Sequence, residues 1–243
     1  IVTEPDIRSS DEAYAFLTEL KQILQYQECS TCDMEKGHLR CDANVSVRLK
    51  GAEKFGTKAE VKNVNSFRFV KLALDYEIER QVAVVDGGGR ILQETRLFNP
   101  DTGETVGMRS KESAHDYRYF PEPDLVPLRI SEEWMDEIRQ DMPELPQARR
   151  ARYMADFGLR EYDAGVLTAT RATSDFFEAV SKAAGDPRAA ANWVMGDLMG
   201  ALKAENKEIA ESPVSAQNLG ELIALIGKGE ISGKLAKEIF AKM

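Results

Sequence analysis

The segment between Leu39 and Leu49 constrains the fold most, because apolar and polar residues alternate along it without interruption. Successive side chains of a β-strand point to opposite faces of the sheet. A strict period of two therefore predicts a strand with one face on a hydrophobic core. The core-facing set comprises Leu39, Cys41, Ala43, Val45, Val47 and Leu49. The opposite set comprises Arg40, Asp42, Asn44, Ser46 and Arg48.

A second extended pattern covers residues 57–64 and follows a turn at 51–56. In this pattern Ala59 and Val61 face the core, whereas the intervening charged residues face away. If the two strands pair as a hairpin, their polar residues lie on the same side of the sheet. The sequence thus predicts a polar sheet face, which consists of Arg40, Asp42, Glu60 and Lys62.

Two helices are predicted around these strands. Ser9 and Glu12 have capping-box spacing, and the apolar residues that follow recur at helical intervals over residues 11–26. Ser66 caps a second amphipathic helix directly after the second strand. The glycines at 87–89 lack the spacing of a phosphate-binding loop, so we interpret them as a turn. Strands around 91–98 and 104–108 then form another hairpin.

The second half of the chain is helical throughout and begins after a short hinge at residues 143–146. Gly158 and Gly185 predict helix C-termini. Helix N-termini are predicted at Asp186, Ser215 and Ser232. We therefore predict an α+β fold, with an antiparallel-sheet domain over residues 1–143 followed by an all-α helical domain over residues 144–243.

Composition limits the class of protein. The chain has 243 residues, with 32 Lys and Arg against 41 Asp and Glu, a net charge of −9 and a pI near 5.0. A nonspecific nucleic-acid binder would be basic, so that class is excluded. No apolar run approaches the ~20 residues that a membrane span requires. We expect a soluble protein that does not associate with membranes.

Three cysteines, an odd number, argue against a disulfide framework and indicate a reducing compartment. Cys29 and Cys32 have metal-ligand spacing, and Cys41 and His38 would complete a four-ligand zinc site. Because Cys41 lies on the core-facing side of its strand, we favour free thiols over zinc.

Two interpretations of the polar sheet face stay open. Antiparallel sheets often expose one face to water, so charged residues there need no function. Alternatively, Asp42 and Glu60 bind or support Mg²⁺, while Arg40 and Lys62 compensate the charge of a phosphoryl group in transfer. Asn63 and Asn65 follow at the strand-to-helix junction. They either bind ligand oxygens or satisfy turn and cap geometry.

Two further segments are open to both interpretations. Residues 115–124 interleave aromatic side chains with Arg118, which fits either base stacking or a rigid loop. Basic residues at 149–152 fit either a solvated helix face or phosphate contacts.

Several motifs together resemble the B-type subunit of the bacterial-type aminoacyl-tRNA amidotransferases. They lie, in order along nearly the whole chain, at residues 1–7, 39–44, 55–67, 93–96, 116–124, 143–146 and 192–196. The resemblance implies a cradle-shaped α+β catalytic domain followed by a helical domain. The chain opens at Ile1 inside an apolar stretch and closes inside a helical pattern. These ends indicate a fragment. The resemblance implies that it lacks the N-terminal part of the cradle, with the family's principal metal ligands, and the C-terminal tail domain, so we expect it to be inactive alone.

The resemblance also implies an activity. Members of this family use ATP and Mg²⁺ to phosphorylate the side-chain carboxylate of Glu on tRNA(Gln) or Asp on tRNA(Asn). Ammonia that the amidase subunit releases from glutamine then forms the amide, and a third, small subunit braces the complex. The implied location is the bacterial cytoplasm, or an organellar matrix in a eukaryote. The alternative is a non-catalytic module that binds tRNA and scaffolds the other subunits.

Residue by residue, the resemblance assigns catalytic positions to Asp42, Glu60, Lys62, Asn63 and Asn65. It assigns nucleotide binding to Arg40 and, more weakly, to Arg118. Asp42 and Glu60 would support Mg²⁺ directly or through water, and no complete metal site is expected within this chain.

Overall fold

The computed structural model describes residues 1–108 and 123–243. The chain forms two compact units. The first comprises Ile1–Leu24 and Ser30–Asp141, and the second comprises Gln25–Cys29 and Met142–Met243.

The first unit contains helices and a small sheet. Its elements are α1 (Ser10–Tyr26, whose last residues belong to the second unit), β1 (Ala43–Val45), β2 (Ala59–Lys62), α2 (Phe67–Asp86), β3 (Thr95–Asn99), β4 (Glu104–Gly107) and α3 (Glu132–Asp141). The predicted α1 and α2 are confirmed, and Ser66 accepts the predicted capping hydrogen bond from the backbone N–H of Phe69 at 3.1 Å. The predicted turn at the triple glycine is also confirmed.

The sheet has the order β1-β2-β3-β4. The predicted antiparallel pairs β1/β2 and β3/β4 are confirmed, but β2 and β3 run parallel. The α+β class is confirmed, whereas the expectation of a purely antiparallel sheet is wrong. The physical reason is α2, because a helical crossover returns the chain to the end of the sheet where β2 began.

β1 is shorter than the alternating segment that predicts it. Only Ala43–Val45 pairs with β2, although burial alternates from Leu39 to Val45, with the apolar residues half-buried and Arg40 and Asp42 exposed. Leu49 is 70% exposed, so its predicted place in the core is wrong. The alternation therefore marks the two faces correctly from Leu39 to Val45 but overestimates the length of the strand.

One face of the sheet is covered and the other is open. Side chains from the covered face pack with α1 and α2 in a buried cluster of Ala13, Leu17, Val61, Val64, Val70, Ala73, Leu74 and Phe98. The charged side chains of β2 point to the opposite side, where Glu60 and Lys62 keep partial contact with solvent. The predicted separation of an apolar and a polar face is confirmed.

A polar network lies within the covered side and centres on Glu77 of α2, which is fully buried. Its carboxylate accepts hydrogen bonds from Arg80, from Gln81 Nε2 at 2.9 Å and from Thr105 Oγ1 at 2.9 Å, and Arg96 Nε lies 3.2 Å away. We call this set, with Glu94, the Glu77 network. Every buried side-chain polar atom in the described residues has a hydrogen-bond partner.

Gln81 also closes the outer edge of the sheet. Its Nε2 donates to the carbonyl of Val45 at 3.2 Å, and its Oε1 accepts from the N–H of Val47 at 3.1 Å. Unpaired backbone groups on an edge strand invite pairing with another chain. The amide of Gln81 takes the place of a neighbouring strand over these residues.

The second unit is helical, as predicted. Its elements are α4 (Pro146–Asp156), α5 (Glu161–Leu167), α6 (Arg171–Ala184), α7 (Pro187–Trp193), a π-helical segment (Val194–Leu198), α8 (Met199–Ala204), a 3-10 turn (Ile209–Glu211), α9 (Ala216–Gly227) and α10 (Gly233–Phe240). The predicted side-chain caps at Asp186, Ser215 and Ser232 are confirmed. Gly185 ends α6 with a φ of +70°, as its predicted role requires. No helix in the described ranges is both long and apolar enough to cross a membrane.

The packing of α6 against α9 depends on Gly220. A Cβ at this position would meet the Cβ of Ala183 and would lie 2.9 Å from the carbonyl oxygen of Val180. The two helices can approach this closely only because residue 220 has no side chain.

We therefore expect Gly220→Ala to destabilise the second unit by about 1–3 kcal/mol, since overpacking outweighs the ~1 kcal/mol gain in helix propensity. Gly227→Ala is the matched control in the same helix, because no atom lies within 4 Å of its Cβ position. It should leave stability unchanged or raise it by a few tenths of a kcal/mol. Urea unfolding compares the two variants, and equal effects would contradict this account.

Candidate active site

The antiparallel register brings the predicted polar sheet face together. Asn44 pairs with Glu60, so Asp42 lies across from Lys62. Lys62 Nζ lies 3.4 Å from Asp42 Oδ2 and 3.5 Å from Glu60 Oε1. Three of the four predicted residues thus form one charged group. Arg40 is exposed and precedes β1, and no contact joins it to this group among the described residues.

The two carboxylates hold Lys62 in its charged form. Partial burial of the ammonium group acts to lower its pKa, but the negative charges of Asp42 and Glu60 outweigh this and raise the pKa of Lys62. The side chain keeps a permanent positive charge at neutral pH and is 41% exposed. A fixed cation with solvent access is suited to contact an incoming anionic group.

Thr95 is a member of this site that the sequence patterns did not single out. It lies opposite Glu60 in the parallel β2/β3 register, and its Oγ1 donates to Glu60 Oε2 at 2.9 Å. The polar face therefore extends across three strands. The only signal for Thr95 was its place in the motif at residues 93–96, which gave no indication of its contact.

Asn63 has a well-defined structural contact. Its backbone is left-handed, with a φ of +64°, and its Nδ2 donates to the carbonyl of Phe98 at 2.9 Å. This bond ties the end of β2 to the end of β3. The observation supports the turn-and-cap interpretation for Asn63. Asn65 is exposed and directly precedes the helix cap Ser66.

A cleft of about 390 Å³ opens beside β1, between α1 and α2. Its floor is apolar and includes Leu17, Val70 and Leu74, while Asp42 and Asn44 stand along the strand that borders it. This floor belongs to the covered side of the sheet, and Asp42 is the only member of the charged group among the described lining residues.

The other predicted site residues are Arg118 and the possible metal-binding cysteines. Arg118 and most of the segment 115–124 lie outside the described residues. The cysteines are free, and burial raises the pKa of the Cys41 thiol, with a smaller contribution from the charge of Asp42. Within residues 1–108 and 123–243, no three His, Cys, Asp or Glu side chains are grouped to hold a metal ion.

The basic residues at 149–152 are engaged in ion pairs. Arg152 contacts Glu144 and Glu178, with Nη2 2.7 Å from Glu178 Oε1. Arg149 Nη1 lies 2.7 Å from Asp175 Oδ1, and Arg150 pairs with Glu161. These contacts neutralise the cluster within the second unit, which disfavours the phosphate-contact interpretation.

Comparison with models of known protein families identifies the family of this chain. Residues 1–136 match the family model described as the GatB/GatE catalytic domain, and residues 175–243 match the model described as the GatB domain. The first match covers more than half of the chain. The protein therefore belongs to the GatB/GatE catalytic-domain family, and the resemblance inferred from the sequence motifs is confirmed.

Similar curated proteins share one name, which describes them as the B-type subunit of an aspartyl/glutamyl-tRNA(Asn/Gln) amidotransferase. The Geotalea daltonii protein is 58% identical over 243 residues, which is 100% of this chain and 51% of the relative. The Thioalkalivibrio sulfidiphilus protein is 55% identical over 244 residues, again 100% and 51%. The Carboxydothermus hydrogenoformans protein is 52% identical over 243 residues, 100% and 50%. The chain spans about half the length of the curated relatives it matches.

Proposed function

We propose that this chain forms part of the site that activates a side-chain carboxylate on a misacylated tRNA. Glu on tRNA(Gln) or Asp on tRNA(Asn) is phosphorylated by ATP and then amidated. The observation that carries this proposal is the charged group on the open sheet face of a GatB/GatE catalytic domain, with Lys62 held between Asp42 and Glu60.

The reaction consists of two displacements. A carboxylate oxygen of the aminoacyl group attacks the γ-phosphorus of ATP, the bond to the β-γ bridging oxygen breaks, and ADP leaves. Ammonia then attacks the carbonyl carbon of the acyl phosphate, inorganic phosphate leaves, and a proton is lost from nitrogen. Positioning and charge compensation are the main demands of the first step. Lys62 meets the demand for charge compensation, because it carries a permanent positive charge.

The carboxylates fit a supporting role toward Mg²⁺. This ion binds proteins through one or two carboxylates and keeps several waters. Asp42 and Glu60 are acceptors of the required kind, although among the described residues they do not belong to a group of three metal-binding side chains. When bound, Mg²⁺ would neutralise phosphate charge. Asp42 and Glu60 would support it directly or through water, and the same carboxylates hold Lys62 in its charged form.

The proposed partners follow from the same assignment. An amidase subunit would release ammonia from glutamine, a third, small subunit would brace the complex, and charged tRNA(Gln) or tRNA(Asn) would be the substrate. The name shared by the relatives identifies them as one subunit of a larger enzyme. We place the assembly in the cytoplasm.

The test uses the full-length parent protein assembled with the amidase subunit and the small subunit. We expect Asp42→Asn and Glu60→Gln to lower ATP hydrolysis that depends on Glu-tRNA by about 10²–10³-fold, the usual cost of removing one electrostatic group from a reacting centre. Binding of tRNA should persist. Asp101→Asn and Glu104→Gln are matched controls, because both residues are exposed in or next to β4. They should behave as wild type.

If Asp42→Asn and Glu60→Gln hydrolyse ATP at the wild-type rate, this face is not the reacting centre. The chain would then act as a non-catalytic module that binds tRNA and scaffolds the other subunits.

A further inference from the structure

We propose that Thr95 is a positioning residue, whose hydroxyl group sets the orientation of the Glu60 carboxylate toward Lys62. This inference rests on the proposed function, since it concerns how the same charged group is held for phosphoryl transfer.

The contacts divide the two oxygens of Glu60 between two partners. Oε2 accepts the hydrogen bond from Thr95 Oγ1 at 2.9 Å, and Oε1 faces Lys62 Nζ at 3.5 Å. With one oxygen fixed by a neutral donor, the carboxylate plane has a defined direction. The other oxygen is thereby directed toward the ammonium group, which Asp42, the residue just before β1, also contacts.

Thr95 itself is held rigidly. Its carbonyl accepts from the N–H of Met108 at 2.9 Å, and the adjacent Glu94 carbonyl accepts from the N–H of Glu60 at 3.0 Å. These bonds fix the position of the residue on both neighbouring strands. A threonine side chain also has restricted rotation about χ1, since it is branched at Cβ.

The neighbours of Thr95 add a second anchor on the opposite face of the sheet. Arg96 Nη1 donates to Glu94 Oε1 at 2.7 Å, and Arg96 Nη2 donates to the carbonyl of Thr105 at 2.7 Å. Arg96 also contacts buried Glu77. This accounts for the motif at residues 93–96, in which charged residues bind the Glu77 network and the threonine between them faces the site.

Loss of the hydroxyl group would free the Glu60 side chain. Its rotatable bonds would then allow the carboxylate to follow Lys62 or solvent, and a reacting group misplaced by about 1 Å can lose 10²-fold in rate. A serine at this position would keep the hydroxyl donor. A valine would keep the branched shape of the side chain but would lack the donor.

The experiment again uses the full-length protein with the amidase subunit and the small subunit. Thr95→Val should lower kcat for Glu-tRNA-dependent ATP hydrolysis by about 10–100-fold, as for other residues that orient reacting groups, with KM for ATP changed by less than about threefold. Thr95→Ser should stay within about threefold of wild type. Thr102→Val makes the same chemical change at an exposed position of the β3/β4 hairpin and should have no effect.

Two results would overturn the inference. One is a Thr95→Val enzyme with wild-type kcat. The other is an equal loss in Thr95→Ser together with a lowered melting temperature, which would indicate a packing role.

A double-mutant cycle separates this inference from the proposed function. If Thr95 acts through Glu60, then Thr95→Val adds little to the defect of Glu60→Gln, whereas additive defects would overturn the inference. If Glu60→Gln alone has no effect, the proposed function fails and the inference fails with it. If Glu60→Gln abolishes hydrolysis while Thr95→Val does not, only the positioning role is wrong.

Discussion

Replacing Glu77 by alanine is expected to lower the free energy of unfolding by about 3–5 kcal/mol, the usual cost of removing one partner from a buried ion pair. The carboxylate is fully buried, and Arg80 and Arg96 would lose a partner in surroundings with little water. Thr105 and Gln81 would also lose an acceptor. Urea unfolding of the chain measures the change.

Glu79→Ala is the matched control, because Glu79 is exposed on the same helix. Its effect should lie within about 0.5 kcal/mol of zero. A Glu77→Ala variant as stable as Glu79→Ala would show that the Glu77 network contributes nothing to stability.

The pH dependence gives an independent check on the same residue. Burial acts to raise the pKa of Glu77, but hydrogen bonds from Arg80, Gln81 and Thr105 outweigh it, and the pKa lies below its ordinary value. The contribution of Glu77 to the free energy of unfolding is therefore present above the pKa that Glu77 has in the unfolded chain. It is lost as the pH falls through the pKa that Glu77 has in the folded chain. Wild type should lose more stability than Glu77→Ala on acidification below about pH 4.5. If the free energies of unfolding of the two proteins fell in parallel with pH, this account of Glu77 would be wrong.

The Glu77 network shows what sequence patterns leave out. The apolar spacing of α2 predicted the helix and its packing face, and a glutamate within that helix gave no sign of burial. A charged side chain can lie in a core only when several partners meet it there. Arg80 and Gln81 lie on α2 itself, but Arg96 and Thr105 come from β3 and β4, whose position relative to α2 the local pattern does not encode.

The polar sheet face was predictable to the extent that local register defines it. Alternation in two strands joined by a turn placed Asp42, Glu60 and Lys62 on one side of the sheet, and the structure brings these three together there. Thr95 joins through a parallel pairing between strands that are distant in sequence. Its contact could not be derived from periodicity, because period-two patterns define faces but not neighbours.

The charged groups on the two faces of this sheet are therefore expected to differ in what their removal changes, which is stability on one face and chemistry on the other. On the covered side, Glu77 is enclosed, so its removal should cost stability. On the open side, Lys62 has access to solvent, and ion pairs between exposed groups contribute about 0–1 kcal/mol. A variant on the open side should change chemistry while the fold persists.

Lys62→Met provides the corresponding test. In the assembled full-length enzyme, Glu-tRNA-dependent ATP hydrolysis should fall by about 10²–10³-fold, because the positive charge that offsets the phosphoryl oxygens is gone and two carboxylates face them instead. Unfolding of the chain in urea should change by less than about 1 kcal/mol. Lys62→Arg retains the charge with a different shape, so its rate of ATP hydrolysis should lie between those of wild type and Lys62→Met.

Lys58→Met removes a positive charge from an exposed residue just ahead of the same strand, so it controls for net charge. It should hydrolyse ATP as wild type does. If Lys58→Met and Lys62→Met lose activity equally, the effect is one of overall charge on substrate encounter, and a specific role for Lys62 is wrong. If Lys62→Met instead unfolds as readily as Glu77→Ala, the charged group on the open face is structural. A large loss of hydrolysis with unchanged unfolding and unchanged tRNA binding is the result expected of a reacting centre on this face.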